Sequence, residues 1–131
     1  MLEMGLDTNY RVAVDKSKNR LYVWALGEIM SPKGVQGMVP ATKTACEALK
    51  PGFTAVVDFT GMKMLGVPDI VQKLQETVMA AGLGKLASVW DRETFAKLVV
   101  DSTAQKVAGG TYQEKRKAFH TRAEAEAWLD A

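Results

Sequence analysis

Two aspartates raise the first chemical question. Asp58 closes the apolar run Phe53-Thr54-Ala55-Val56-Val57, and Asp91 follows Lys85-Leu86-Ala87-Ser88-Val89-Trp90. If both runs are parallel strands, each carboxylate sits at a strand's carboxyl end, where open α/β sheets bind ligands. Two such carboxylates could hold Mg²⁺. An acidic pocket of that kind also needs an adjacent acidic pair after the first strand, and the sequence has none. The simpler roles are a helix cap for Asp91 and a loop-ordering acceptor for Asp58. Neither a metal nor a cofactor is expected.

Nucleophilic catalysis finds little to work with. Cys46 is the one cysteine and His120 the one histidine. Cys46 falls on an apolar helical stripe, which predicts a buried, inert thiol. His120 precedes a helix start and reads as solvated. No Gly-x-Ser-x-Gly elbow, phosphate loop or dinucleotide fingerprint is present. The expectation is a protein without enzymatic activity.

Two stretches point to contact rather than catalysis. Gly61-Met62-Lys63-Met64-Leu65-Gly66 puts three large apolar side chains just past a buried strand. With Met30 and Met38 nearby, these methionines either border a protein or ligand contact patch or cap the end of the core. Lys115-Arg116-Lys117, with His120 and Arg122, either meets an anionic partner or protects an edge strand by charge.

The elements that position these residues follow from periodicity. Tyr10–Val14 and Arg20–Leu26 read as an antiparallel hairpin across the polar turn Asp15–Asn19. Residues 1–9 read as a loose tail. Ser31-Pro32 offers a hydroxyl cap and a first-turn proline, with a regular helix expected from Pro40 to Leu49. Phe53–Phe59 fits a strand covered on both faces. Pro68 opens a helix with Asp69 in its first turn and Ile70, Val71, Leu74, Val78 and Ala81 on one side. Lys85–Trp90 is the next strand. Asp91 would cap a helix that buries Phe95, Leu98 and Val99. Lys115–Phe119 reads as an edge strand, and Thr121-Arg122-Ala123-Glu124 as a capping box before a helix anchored by Trp128 and Leu129.

The predicted order is β-β-α-β-α-β-α-β-α: an α/β domain over 10–131, with a mixed five-stranded sheet and four flanking helices. The 131 residues are 47% hydrophobic and 24% charged, an ordinary globular mix. A net charge of +2 argues against a nucleic-acid binder. No apolar run approaches a membrane span and no leader is visible, so the expected location is cytoplasmic, without integral membrane association.

Leu21-Tyr22-Val23-Trp24-Ala25-Leu26-Gly27-Glu28-Ile29, followed after a helix by Val56-Val57-Asp58-Phe59-Thr60-Gly61-Met62, resembles the anti-sigma-factor antagonist or STAS domains. The closing Phe119 and Glu124-Ala125-Glu126-Ala127-Trp128-Leu129 resemble the SpoIIAA-like bacterial subgroup. The resemblance covers about residues 10–130. It implies a SpoIIAA-like mixed sheet, related to lipid-carrying SEC14-type folds, and a non-enzymatic interaction or regulatory role.

STAS antagonists carry a phosphorylated serine at the start of the helix after the third strand. The matching Gly66-Val67-Pro68-Asp69 has no hydroxyl, so that switch is absent at this point. The expected contact surface is Asp58, Thr60, Gly61, Met62, Met64, Pro68 and Asp69, facing a protein partner or a second copy. The alternative is a small apolar ligand or lipid bordered by Met30, Met38, Met62 and Met64.

Overall fold

The computed structural model describes residues 1–29, 33, 35–65 and 67–131, and for Met64, Leu65 and Phe95 the backbone alone. The predicted hairpin is present as β2 (Tyr10–Asp15) and β3 (Arg20–Ala25), antiparallel, with Tyr10 opposite Ala25 and Asp15 opposite Arg20. Asp15 orders the turn by accepting from the Ser17 amide and hydroxyl.

The loose tail expected over residues 1–9 is instead largely a strand. β1 (Leu2–Leu6) pairs antiparallel with β2, with a bulge between Glu3 and Gly5. Gly5 brings the backbone close to the following helix, since a Cβ there would lie 2.7 Å from Ala41 Cβ. Neither periodicity nor propensity announces this strand; its pairing with β2 creates it.

β3 then pairs in parallel with β5 (Thr54–Asp58), β5 with β7 (Lys85–Val89), and β7 with β8 (Arg116–Phe119). The resulting six-stranded mixed sheet has the order β1-β2-β3-β5-β7-β8. A separate two-stranded parallel sheet joins β4 (Gly27–Ile29) to β6 (Met62–Leu65). The stretch read as a loop over 61–66 is therefore mostly strand. Gly27 has φ +66°, which bends the chain out of β3 and into β4.

Helix α1 (Met38–Glu47) begins two residues before the expected Pro40. Pro40 is the third helical residue, where a backbone donor has no intrahelical partner, so it does not break the helix. The Ser31-Pro32 start and Met30 lie outside the described residues. α2 (Pro68–Ala80) carries Pro68 at its start and Asp69 in its first turn, as the sequence indicates.

The cap of α3 (Phe95–Ala104) is Thr94, whose hydroxyl accepts from the Lys97 amide, and Asp91 is exposed. The helix also faces differently from the reading. Ala96, Val100, Thr103 and Ala104 are buried, while Leu98 is 63% exposed. A short helix, α4 (Thr111–Lys115), follows a left-handed turn at Ala108–Gly110 and was not expected. The Thr121–Glu124 capping box forms at the start of α5 (Arg122–Asp130).

Strand alternation divides the core between the two sheet faces. Val12, Val14, Leu21, Val23, Ala55 and Leu86 form one core with the buried side chains of α1 and α2. Ala13, Tyr22, Val56, Ala87 and Val89 pack with Ala125 and Leu129 of α5 in another. The α/β class and mixed sheet agree with expectation; β1, β4, β6 and α4 are additional.

Candidate functional site

Between the sheet and its helical cover lies a cavity of about 60 Å³. Its sheet side is Leu21, Val23 and Ala25 of β3, Val57 of β5, Leu86 and Ser88 of β7, and Arg116 of β8. The helical side is Met38 and Thr42 of α1, Leu74 and Gln75 of α2, Val100 of α3 and Tyr112 of α4. A second cavity of about 30 Å³ shares Ala25, Met38, Phe59, Val71 and Leu74 and continues to Ile29, Met62, Val67 and Ile70. The first cavity thus has polar groups in its wall, and the second is bordered by apolar side chains.

The polar groups are deeply buried. Thr42 is 1%, Gln75 4% and Ser88 1% exposed, and the Arg116 side chain 4%. Among the described residues, Thr42 Oγ1, Gln75 Oε1 and Arg116 Nε have no hydrogen-bond partner. Gln75 Nε2 donates to the Val100 carbonyl at 3.3 Å. Arg116 Nη1 donates to Asp101 at 2.9 Å and Gln113 at 3.2 Å, and Nη2 reaches Ser88 Oγ at 3.4 Å. Burial pushes the Tyr112 phenol up to about 12, against the opposing pull of the Arg116 charge. At neutral pH Tyr112 is therefore a neutral hydroxyl beside a guanidinium. For Asp101, burial favours the acid form, but hydrogen bonds from Arg116 and Lys97 outweigh it and lower its pKa.

The sequence reading missed this constellation. Lys115-Arg116-Lys117 reads as one basic run, but strand alternation within β8 sends Arg116 to the face that α1 and α2 cover. Lys117 reaches the Phe119 ring instead, and Lys115 donates to the Leu83 carbonyl. Arg122 stacks over Tyr22 and Trp24. The signal that was present is Gln75, a polar residue in the helical stripe Val71, Leu74, Val78.

The expected contact residues are divided. Asp58 accepts from the Thr60 amide at 2.8 Å and its hydroxyl at 2.6 Å, the loop-ordering role. Thr60, Gly61, Pro68 and Asp69 are exposed. Met62 is not a solvent-facing side chain: it is partly buried, packs against the core and borders the smaller cavity. Met38 is buried and lines both cavities. Met30 and the Met64 side chain lie outside the described residues.

Changing Met62 to Ser is therefore expected to lower stability by about 1–2 kcal/mol, below the 2–5 typical of emptying a fully buried methionine site. Thermal melting beside light scattering checks this. An unchanged melting temperature with weakened self-association would return Met62 to the surface role.

Cys46 is buried, and burial pushes its thiol up to about 11, consistent with the inert reading. His120 is exposed. Among the described residues no group of three or more His, Cys, Asp or Glu side chains is placed to hold a metal, and no helix is long and apolar enough to cross a membrane.

Comparison with known proteins bears on the fold. No family model matches the chain, and no curated protein matches it. A solved structure, an uncharacterized protein of the DUF3478 family with a SpoIIAA-like fold from Shewanella loihica, superposes with a TM-score of 0.62. The two are 16% identical over 95% of this chain and 96% of that one. The fold is thus SpoIIAA-like.

Proposed function

We propose that this chain is a non-enzymatic, cytoplasmic binding and regulatory domain whose ligand is a small, largely apolar molecule held between sheet and helices. The observation that carries the reading is the set of three unpartnered polar atoms, on Thr42, Gln75 and Arg116, around one cavity. A buried polar atom without a partner costs about 1–3 kcal/mol. A stretch selected for packing alone would carry aliphatic side chains at these positions. A ligand with an apolar body and a polar end would fill the space, and would satisfy such atoms once the side chains that close them off from the cavity shift.

Cavity size limits the ligand. A dry cavity of about 150 Å³ takes benzene, so this site, without rearrangement, suits something smaller. A full lipid would require α1 or α2 to move.

The test is thermal melting with alcohols and acids of about two to four carbons, together with native mass spectrometry of the purified chain. A ligand at ten times its Kd should stabilise the fold by about 1.4 kcal/mol. The cavity-filling variant Leu74→Phe should lose that response. A melting temperature unmoved by every compound, with no co-purified mass, would sink the reading.

A partner surface is the second reading, supported by the exposure of Thr60, Gly61, Pro68 and Asp69 beside the carboxyl end of β5. The absence of a hydroxyl in Gly66-Val67-Pro68-Asp69 leaves shape, rather than added phosphate charge, to set any such contact with a protein partner or a second copy.

A further inference from the structure

Resting on the ligand reading above, we propose that the ligand is a short aliphatic monocarboxylate, its carboxylate received by Arg116 and its chain directed toward Met38. The guanidinium has two usable edges. Nη1 is committed to Asp101 and Gln113. The other edge presents Nε–H, which has no partner, beside Nη2, whose one contact is the 3.4 Å approach to Ser88. Two parallel N–H donors on one planar edge match the two oxygens of a carboxylate.

Charge accounting favours an anion over a neutral acceptor. Asp101 serves two cations, giving Oδ1 to Arg116 at 2.9 Å and Oδ2 to Lys97 at 3.1 Å. Glu93 also approaches Lys97, but at 3.6 Å and with its side chain 74% exposed, so solvent weakens its contribution. Asp101 is thus shared between two cations and neutralises the Arg116 charge only in part, and of these three groups Arg116 alone lines the cavity. Tyr112 adds no compensating negative charge, because burial keeps its phenol protonated at neutral pH.

The apolar end sets the body of the ligand. Besides Arg116 the lining includes Val57, Leu74 and Met38, and Met38 and Leu74 also border the smaller cavity. Set against the ~150 Å³ that benzene needs, these volumes suit an acid of about two to four carbons in all. Methionine side chains adapt to small differences in ligand shape.

The experiment titrates the intact chain with sodium acetate, propionate and butyrate, with 1-butanol, and with sodium chloride at matched ionic strength. Amide shifts and melting temperature are followed together. The expected result is saturable binding of the acids, with shifts centred on β7 and β8, and none with chloride. Arg116→Gln should weaken acid binding roughly tenfold or more. Should Arg116→Gln fail to fold, Leu74→Phe provides the second arm, because it blocks the cavity while leaving Arg116 and Asp101 in place. Equal binding of 1-butanol and butyrate would overturn the carboxylate assignment while leaving the ligand-binding reading standing. No saturable binding by any compound would overturn both.

Discussion

Replacing Glu126 by Ala is expected to destabilise the fold by about 3 kcal/mol or more. The reason lies in Arg20, which is 2% exposed at the start of β3. Its Nη1 meets Glu126 at 2.5 Å, its Nη2 meets Asp130 at 2.7 Å, and its Nε donates to Thr54 at 2.8 Å. Tyr22 also donates to Glu126, at 2.8 Å. Removing Glu126 leaves the buried guanidinium with one carboxylate, that of Asp130, whose side chain is 55% exposed. The double change Arg20→Met with Glu126→Leu should recover most of the loss, because a well-packed apolar pair often matches a buried ion pair. Urea melts of the parent and the two variants check this, and a double variant as unstable as the single one would refute the account.

The same cluster sets a pH dependence. For Glu126, burial alone would raise the pKa, but hydrogen bonds from Tyr22 and Arg20 outweigh it and hold the carboxyl below its usual range. Asp130 is lowered chiefly by its hydrogen bond from Arg20. Because the folded values lie below the unfolded value of about 4, their contribution is complete above that pH. It is lost as pH falls through the folded values. The Glu126→Ala variant should therefore lose less stability than the parent between about pH 5 and pH 2.

How much of this was legible in the sequence depends on whether the deciding interaction is local. The β2–β3 hairpin announces itself, because alternation and a polar turn lie within one short stretch. The Thr121–Glu124 capping box and the Pro68–Asp69 helix start are equally local. The strand at Leu2–Leu6 is not: it contains Gly5, lacks a clean alternation, and exists because β2 offers a partner. Leu98 misled for a related reason. Its apolar character suits a buried stripe, but contact with α2 selects the Ala96–Val100–Thr103 side of α3.

The candidate site was the least legible part. Thr42, Gln75, Ser88, Tyr112 and Arg116 come from five different elements, and no spacing in the chain links them. Arg116 also sat inside an apparently solvated charge run. Only period-two alternation along β8, applied to Arg116 and Lys117 once the strand is accepted, separates their fates. Asp58, by contrast, attracted attention as a site residue, yet its contacts are those of a turn.

The other large effect belongs to Leu129. Replacing it by Ala should cost about 2–4 kcal/mol, more than replacing Trp128, which at first sight looks like the stronger anchor. Both residues lie near the end of α5, but they share the work unequally. Leu129 is 6% exposed and joins Ala13, Tyr22, Val56, Ala87 and Val89 in the core beneath the helix. Trp128 is only partly buried. Its ring tilts against Phe119 at 5.6 Å between centroids, and Lys85 lies 5.1 Å over its face. Much of the indole therefore covers the sheet edge while keeping water contact, so truncating it removes less apolar area from cover. The 3–5 kcal/mol of a fully buried tryptophan does not apply, and a loss of about 1–2 kcal/mol is expected from the area that is covered. Removing Leu129 instead leaves a void between helix and sheet that its β-strand neighbours cannot collapse into. Chemical denaturation of the two variants side by side decides the matter: if Trp128→Ala proves the more damaging, the helix is held by its edge rather than by the core beneath it.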